Sequence, residues 1–542
     1  KILAKLDWNI TDQHRASFTY NYNDGFNYSP SDSGSNRLAD GNHYYERGAE
    51  LNSYSASLYS DWTDNFSTDI RVSYIDLANR QNPVLGLDNF GEVQVRLDSG
   101  STVYLGADDS RHANKLSYDL WNYKAAANYL WNDHTFTVGY EREEFEVFNL
   151  FVQEALGEWV FDSIEDFANG DFADFRYENA SGTNDVNDGA ASFGYEINTL
   201  YAQDEWQVSD KLNVVAGLRY DWYTSGDKPA FNQNFADNYG FGNDETMDGR
   251  DLLQPRIGFN YDFSDLVTFH GGLGLFSGGN PNVWVSNSYS NNGVTLFECR
   301  NRGRTSDCVG DGSFTNINDF TYGGGSGQPF IDVPDEMIDA VANASGQGSV
   351  NAIDPDFDIP SEWKFALGTV INYDFENKYL GDNWTFMADF LYSKTNESAI
   401  VVPIGYVQTG TAPDGRPLYG GNSNDFLLTN ADDKGETFVY SAVVQKDYGN
   451  GIDWSLAYAY TDSQDTNPMT SSVAFSNFSN FATSDPVNVK TATSDYEIPH
   501  RFTARLNIEK EFVTDYATRF TLVGTANQGA PFSYTFAYNG II

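Results

Sequence analysis

The chain has 542 residues and a formal net charge of -45, from 77 acidic and 32 basic side chains. So negative a surface argues against nucleic acid as a partner, because it repels the phosphate backbone. Mean hydropathy is -0.49 and no apolar run reaches the roughly 18 residues that a transmembrane helix needs. The other structure that satisfies its own backbone in lipid is a closed β-barrel, whose strands leave only a weak signal in each segment.

The first predicted hairpin alternates clearly between apolar and polar residues. Its first strand places Ile2, Ala4, Leu6 and Trp8 at even positions, and after a short turn Ala16, Phe18, Tyr20 and Tyr22 continue the pattern. Successive side chains of a strand point to opposite faces, so one face is apolar and the other polar. A soluble β-sandwich gives the same pattern, and one hairpin does not discriminate between the two folds.

Repetition of this hairpin along the chain favours the barrel. We predict about eight hairpins and sixteen strands of roughly 9–12 residues, the length of a tilted strand that crosses a bilayer. Short turns alternate strictly with long connections, and aromatic residues lie near both ends of the strands, as expected at the two membrane interfaces. The long connections run approximately over residues 24–50, 79–116, 149–191, 225–250, 277–360, 395–434 and 462–499. The sequence therefore predicts an all-β fold, a large antiparallel transmembrane β-barrel with long extracellular loops and short periplasmic turns.

The long loops carry the candidate ligand site. Two short helices are expected, over residues 159–167 and 335–341, the second after Pro334. In the loop 277–308, aromatic rings and amides suit a peptide or a glycan. An ordered loop that packs on its neighbours is the favoured interpretation of the same residues. The candidate ligand residues are Asn282, Trp284, Asn287, Tyr289 and Asn292. Cys299 and Cys308 are expected to form a disulfide that stiffens this loop, rather than a metal site.

The polar face of the strands is expected to line a hydrated lumen, because charges on the lipid face would cost a few kcal/mol each, as estimated near the midplane. The lumen candidates include Arg219, Arg256, Arg501 and Arg505. Acidic clusters at residues 108–109, 244–251 and 354–358 could hold Ca²⁺ in the loops, but solvated acidity is favoured. The six histidines are scattered, so no metal site and no cofactor are predicted. Catalytic motifs are also lacking, which argues against an enzyme.

Several stretches resemble the TonB-dependent receptor family, most of all its Oar-like branch. They are residues 200–206 (LYAQDEW), 217–221 (GLRYD), 255–263 (PRIGFNYDF), 274–279 (GLFSGG), 281–287 (PNVWVSN), 496–501 (YEIPHR) and 529–534 (GAPFSY). The resemblance implies a 22-stranded barrel, an N-terminal plug, a TonB-contacting segment and energised transport. Oar-like members also carry an N-terminal carboxypeptidase-regulatory-like domain, and some are linked to movement of proteins or peptides. Residues 1–542 are then the barrel portion of a longer chain, with the plug and about six strands expected outside this sequence.

The function expected from this resemblance is TonB-dependent transport of a large ligand (a peptide, protein or glycan) across the outer membrane of a Gram-negative cell. The expected partners are outer-membrane lipid, the TonB complex through the plug, and further outer-membrane subunits. The alternatives are a passive porin, a structural or adhesive barrel, and a secreted all-β protein that binds or cleaves glycans.

Overall fold

A computed structural model describes residues 1–87, 90–303, 305–310, 314–346, 348–375, 377, 379–421 and 424–534. The strands of the first half are β1 (Ile2–Asn9), β2 (His14–Pro30), β3 (Arg37–Ala39), β4 (Tyr44–Thr63), β5 (Phe66–Arg80), β6 (Glu92–Arg96), β7 (Thr102–Leu105), β8 (Ala113–Trp131), β9 (His134–Val152), β10 (Glu158–Phe161), β11 (Asp174–Ala180), β12 (Ala191–Ser209), β13 (Leu212–Thr224) and β14 (Asp251–Ser264). Those of the second half are β15 (Val267–Ser277), β16 (Leu296–Asn301), β17 (Asn351–Ile353), β18 (Ser361–Tyr373), β19 (Trp384–Glu397), β20 (Ala399–Pro403), β21 (Val407–Thr411), β22 (Pro417–Gly420), β23 (Phe426–Asn430), β24 (Glu436–Asp447), β25 (Ile452–Asp465), β26 (Ala492–Thr493), β27 (His500–Val513) and β28 (Tyr516–Asn527). The α-helices are α1 (Ile164–Asn169), α2 (Gln233–Tyr239), α3 (Asn282–Ser290), α4 (Asp335–Ala342) and α5 (Ala474–Ser479).

A single antiparallel meander of sixteen strands forms the barrel wall and confirms the predicted all-β fold. Together with the two-residue strand β26, these strands make up a 17-stranded sheet. Each barrel strand pairs with the next one along the wall, from β1 with β2 to β27 with β28, and the eight hairpins are those expected from the sequence. Asn132 and Asp515 adopt positive φ angles of 52° and 68° in two of the short turns, a conformation that short polar residues tolerate best.

The strands extend further into the loops than predicted. β4 has 20 residues and β8, β9 and β12 have 19 each, against the 9–12 expected. The predicted first loop, residues 24–50, is consequently shortened on both sides, because β2 continues to Pro30 and β4 begins at Tyr44. A strand needs only about ten residues to cross the bilayer, so these hairpins project well beyond it.

The two faces of the wall differ in chemistry as the alternation predicted. Apolar residues meet across neighbouring strands, as in the pairs Leu6 with Phe18 and Leu58 with Ile70. Leu6, Phe18 and Ile70 are exposed and Leu58 is partly exposed, and together they form an apolar outer surface. The opposite face carries paired charges such as Lys124 with Glu141. The first face is therefore the lipid face, and the second faces inward.

Four of the long connections join in a second sheet outside the wall. Its six strands follow the order β16-β11-β10-β6-β7-β3, with parallel pairs between β10 and β6 and between β3 and β7. We call this sheet, together with α4, the lid. A smaller sheet, β17-β23-β20, joins two later loops.

One of the two predicted loop helices is placed correctly. The helix expected at 335–341 is α4, which begins after Pro334. The helix expected over 159–167 is wrong for its first half, because Trp159, Val160 and Phe161 belong to β10. Helix α1 begins only after Ser163, whose hydroxyl accepts a hydrogen bond from the backbone N–H of Asp166 and caps the helix. Among the described residues, no helix is both long enough and apolar enough to span a membrane.

Candidate functional site

The loops fold inward over part of the barrel mouth. Glu141, Thr199 and Arg219 lie on the inward face of β9, β12 and β13. Towards the loop ends of these strands, the same face carries the buried side chains of Phe145, Tyr195 and Tyr223. These rings pack against residues of the later loops, namely Val285, Tyr289, Ile353, Phe357, Val401, Phe426, Leu428 and Ala474. We call this cluster the mouth core. It closes part of the outer opening with loop residues that lie inside the wall.

The predicted ligand residues lie on or beside α3, at the edge of the mouth core. The Oδ1 atom of Asn282 accepts a hydrogen bond of 2.5 Å from the Tyr195 hydroxyl of the wall. The indole N–H of Trp284 donates to the carbonyl of Ser471 at 3.0 Å, and the Asn287 amide donates to Ser472 at 2.7 Å. These three side chains thus connect α3 to the wall and to the loop that precedes α5.

The other two predicted residues are buried. Tyr289 stacks on Phe193 with ring centroids 4.3 Å apart, and its hydroxyl donates to the carbonyl of Asp227 at 2.8 Å. Asn292 uses its amide to hold the turn after α3, donating to the Tyr289 carbonyl at 2.8 Å. Ligand contact by the five residues remains a prediction, and Trp284, Asn282 and Asn287 are the partly exposed ones.

The predicted lumen arginines lie on one face of the wall. Arg219 forms ion pairs of 2.9 Å with both Glu141 and Asp221. The guanidinium of Arg256 lies 4.4 Å from the ring centroid of Phe276 and donates to Gln254. Near the end of the sheet, Arg505 pairs with Asp453 at 3.2 Å, and Arg501, four positions earlier on β27, is exposed on the same face. Two of these four arginines, Arg219 and Arg505, therefore form ion pairs on the inward face.

The disulfide between Cys299 and Cys308 is present, with the two Cα atoms 5.7 Å apart. It does not lie at an exposed loop tip as the sequence suggested. Cys299 is fully buried in the lid, in a cluster built around Trp159, Phe175 and Met337. The bridge therefore joins β16 to the following loop inside a hydrophobic core of the lid's own.

An acidic cluster that includes residues of the lid strands β6 and β10 was not predicted from the sequence. We define it by seven residues that three loops bring together: Asp32, His43, Glu92, Asp108, Asp109, Glu154 and Glu158. Within it, three overlapping groups have ligand atoms that lie within 4.8 Å of one another. Asp108 is buried, so the interpretation of residues 108–109 as solvated acidity is wrong for this residue. No local spacing predicts the cluster, because its members lie up to 126 positions apart.

Burial changes the protonation of the cluster. It raises the pKa of Asp108 to about 6, with the neighbouring Asp109 acting in the same direction. Burial likewise raises the pKa of Glu158 to about 7, although Arg176 opposes the shift. The pKa values of Glu92 and Glu154 lie well above their usual range for the same reason. Desolvated carboxylates resist ionisation unless a positive charge accompanies them.

A polar cleft on the loop surface is a second feature that the sequence did not indicate. It has a volume of about 620 Å³ and is lined mainly by amides, carboxylates and backbone, including Asn232, Asn234, Asn238 and Asp425. Asn232 also caps α2 by accepting from the backbone N–H of Phe235. The high asparagine content of residues 232–238 is the only local sequence signal for this cleft.

Comparison with known proteins agrees with this architecture. The sequence profile of the family described as "Outer membrane beta barrel domain" matches residues 1–536. No curated protein sequence matches the chain. Among solved structures, the chain is similar to the outer membrane transporter YddB from Escherichia coli, with 11% identity, a TM-score of 0.54, and coverage of 97% of this chain and 60% of that one. It is also similar to the siderophore receptor PirA from Acinetobacter baumannii, with 12% identity, a TM-score of 0.49, and coverage of 96% and 57%. These likenesses concern the fold, and the chain spans about 60% of the length of YddB.

Proposed function

Because the chain belongs to the family of outer-membrane β-barrel domains, we propose that it forms the barrel of a TonB-dependent receptor that moves a large ligand across the outer membrane. The ligand class that suits the loops is a peptide, a protein or a glycan. Aromatic and amide side chains at the mouth, such as Trp284, Asn282 and Asn287, are the proposed contacts.

The mouth core is the observation that supports this proposal over a passive porin. A porin conducts small solutes by free diffusion and needs a continuous aqueous path. Here Tyr195, Tyr223 and their loop partners fill part of that path with packed apolar side chains. A receptor that captures its ligand before energised passage does not need a continuous aqueous path, because its loops and plug rearrange during transport.

The likeness in fold to a transporter, YddB, also fits this proposal. The plug and the TonB contact are proposed from the family resemblance of the sequence. Binding of further outer-membrane subunits is proposed on the same ground. No catalytic role is proposed.

Conductance and energy dependence test the proposal. The full-length protein is reconstituted in planar bilayers, and cells that express it are given fluorescently labelled peptide and oligosaccharide mixtures. We expect no steady conductance, and uptake that stops when a protonophore dissipates the proton-motive force or when TonB is deleted. Steady ohmic conductance together with protonophore-insensitive uptake would instead establish a passive porin.

A further inference from the structure

One nitrogen in the acidic cluster lacks a hydrogen-bond partner. The side chain of His43 is 0% exposed. Its Nδ1 atom lies 2.7 Å from the carbonyl oxygen of Gly106, and because a carbonyl only accepts, Nδ1 carries the proton. The Nε2 atom therefore presents a lone pair, and within the described part of the chain nothing hydrogen-bonds to it. A histidine fixed by an Nδ1–H bond to a carbonyl, with Nε2 free, is in the state that binds metal ions.

The groups that face this lone pair are carboxylates. Glu92 places Oε2 3.8 Å from Nε2. Asp32 and Asp108 each offer an oxygen, and these two atoms and one ring nitrogen of His43 all lie within 4.8 Å of one another. Convergence of electron-rich atoms in a buried place is unfavourable unless the carboxylates take up protons or a cation lies among them.

Nearby arginines compensate for only part of this charge. Arg37 pairs with Asp32 at 2.8 Å, and Arg111 approaches Asp108 at 3.4 Å while its guanidinium also lies over Tyr45. Asp109 adds a further carboxylate within 4.8 Å of those of Glu92 and Asp108. The carboxylates around His43 thus outnumber the arginines that contact them.

We propose that His43, Asp32, Glu92 and Asp108 bind one divalent transition-metal ion, of the Mn²⁺ or Zn²⁺ class. The imidazole nitrogen favours these ions over Ca²⁺ and Mg²⁺, which prefer all-oxygen sites. Asp32 and His43 belong to the loop between β2 and β4, whereas Glu92 and Asp108 belong to the connection between β5 and β8. The ion would therefore fasten the first two extracellular loops together at lid strand β6. This site is independent of the proposed transport function.

Manganese is the probe for the test, because its unpaired electrons report a coordinated nitrogen. The full chain is purified in detergent, stripped with a chelator and titrated with Mn²⁺. We expect one tight ion per chain, with a ¹⁴N coupling from an imidazole in pulsed EPR. His43→Gln should abolish the coupling and weaken binding by at least roughly 10–100-fold, the loss typical when a residue that only orients a metal ligand is removed. His134→Gln is the matched control, since His134 contacts a single carboxylate, Asp204 at 2.9 Å, outside the cluster.

Hydrogen exchange gives a second readout that does not depend on a variant. Mn²⁺ or Zn²⁺ should slow exchange in residues 32–43 and 92–109 of the wild-type chain and leave the periplasmic turns unchanged. Asp108→Asn should also weaken Mn²⁺ binding, because it removes a charged ligand. Should this variant fail to assemble, the wild-type nitrogen coupling and His43→Gln still decide. The proposal is overturned if the stripped chain takes up neither metal tightly, if His43→Gln retains the coupling, or if only Ca²⁺ binds.

Discussion

Leu218 and Arg219 are adjacent in β13, and their side chains lie on opposite faces of the barrel wall. Leu218 is 54% exposed on the apolar face, whereas Arg219 forms 2.9 Å ion pairs with Glu141 and Asp221 on the inward face. One step along the backbone therefore separates a lipid-facing side chain from a lumen-facing one, which is the geometry of a strand with period two.

This relationship predicts unequal effects of two substitutions. Leu218→Arg places a charge in hydrocarbon and should destabilise the assembled barrel by about 2–4 kcal/mol, the cost measured near the bilayer midplane. Arg219→Leu should have a smaller effect, since Glu141 keeps Lys124 3.9 Å away. Asp221 keeps the hydrogen bonds that it accepts from Thr199 and Gln254. Heat-modifiable migration and the yield of folded barrel in lipid vesicles measure both. Equal losses for the two variants would contradict the assignment of faces.

The barrel wall was predictable because each hairpin carries its own signal. Apolar residues such as Phe18 and Val138 occupy every second position of their strands. The partner strand follows after a short turn, so the sequence pattern also indicates which strands pair. The strand ends were less accurate. β2 continues to Pro30, beyond the part of the strand that crosses the membrane. Outside the membrane, lipid no longer imposes the alternation of apolar and polar residues, so the sequence pattern does not mark the end of the strand.

The lid was not predictable for two physical reasons. Its strands are short and β10 is buried at all four positions, so no alternation marks it. Its partners are also remote, as in the pairing of Tyr177 with Cys299 and of Glu158 with Glu92. The same remoteness hid the acidic cluster, since His43 and Glu92 have no spacing that a motif search would detect. By contrast, the disulfide was predicted correctly because a chain with only two cysteines, nine positions apart, leaves one intramolecular pairing.

The lid should unfold separately from the barrel when its core is disrupted. Trp159 is 1% exposed and stacks on Phe175 with ring centroids 3.8 Å apart. Trp159→Ala should remove about 3–5 kcal/mol from lid stability, through lost burial and the cavity left behind. Limited proteolysis of intact cells should then cleave within residues 90–110 and 158–180, while the barrel still resists heat in detergent. Trp62→Ala, which alters an exposed ring beside a short turn, should leave the lid resistant.

Breaking the disulfide should loosen the same region more mildly. Replacing both Cys299 and Cys308 by alanine frees a loop of about nine residues, for which chain entropy gives a loss of roughly 2–3 kcal/mol. Faster hydrogen exchange in β16 and β11, which pair along residues 175–180 and 296–301, would report it. Treating the wild type with a reductant should reproduce the effect. Unchanged exchange in both cases would mean that core packing around Cys299 suffices without the bond.

His112 should make the stability of the loops around it depend on pH. These are the connection between β7 and β8 and the segment between β9 and β10. It is buried, with Nδ1 accepting from the Leu156 backbone N–H and Nε2 near the Ala107 carbonyl, each at 3.2 Å. Both nitrogens are thus used by the neutral ring, and burial lowers its pKa to about 4. In the unfolded chain the ring takes up a proton near pH 6.5, so the folded state loses stability as pH falls from 6.5 towards 4. The full loss is about 3 kcal/mol at 1.36 kcal/mol per pKa unit.

A difference measurement isolates this effect from the carboxylates nearby. Glu92 and Glu154 have raised pKa values, so they favour the folded state as pH falls and oppose His112. They are present in both the wild type and His112→Gln, and their contribution cancels when the two proteins are compared. Hydrogen exchange of the loops, measured from pH 7.5 to 4, should show the wild type losing stability relative to the variant only below about 6.5. A stability difference that does not change with pH would mean that His112 titrates alike in the folded and unfolded loops, and would refute its burial as a neutral ring.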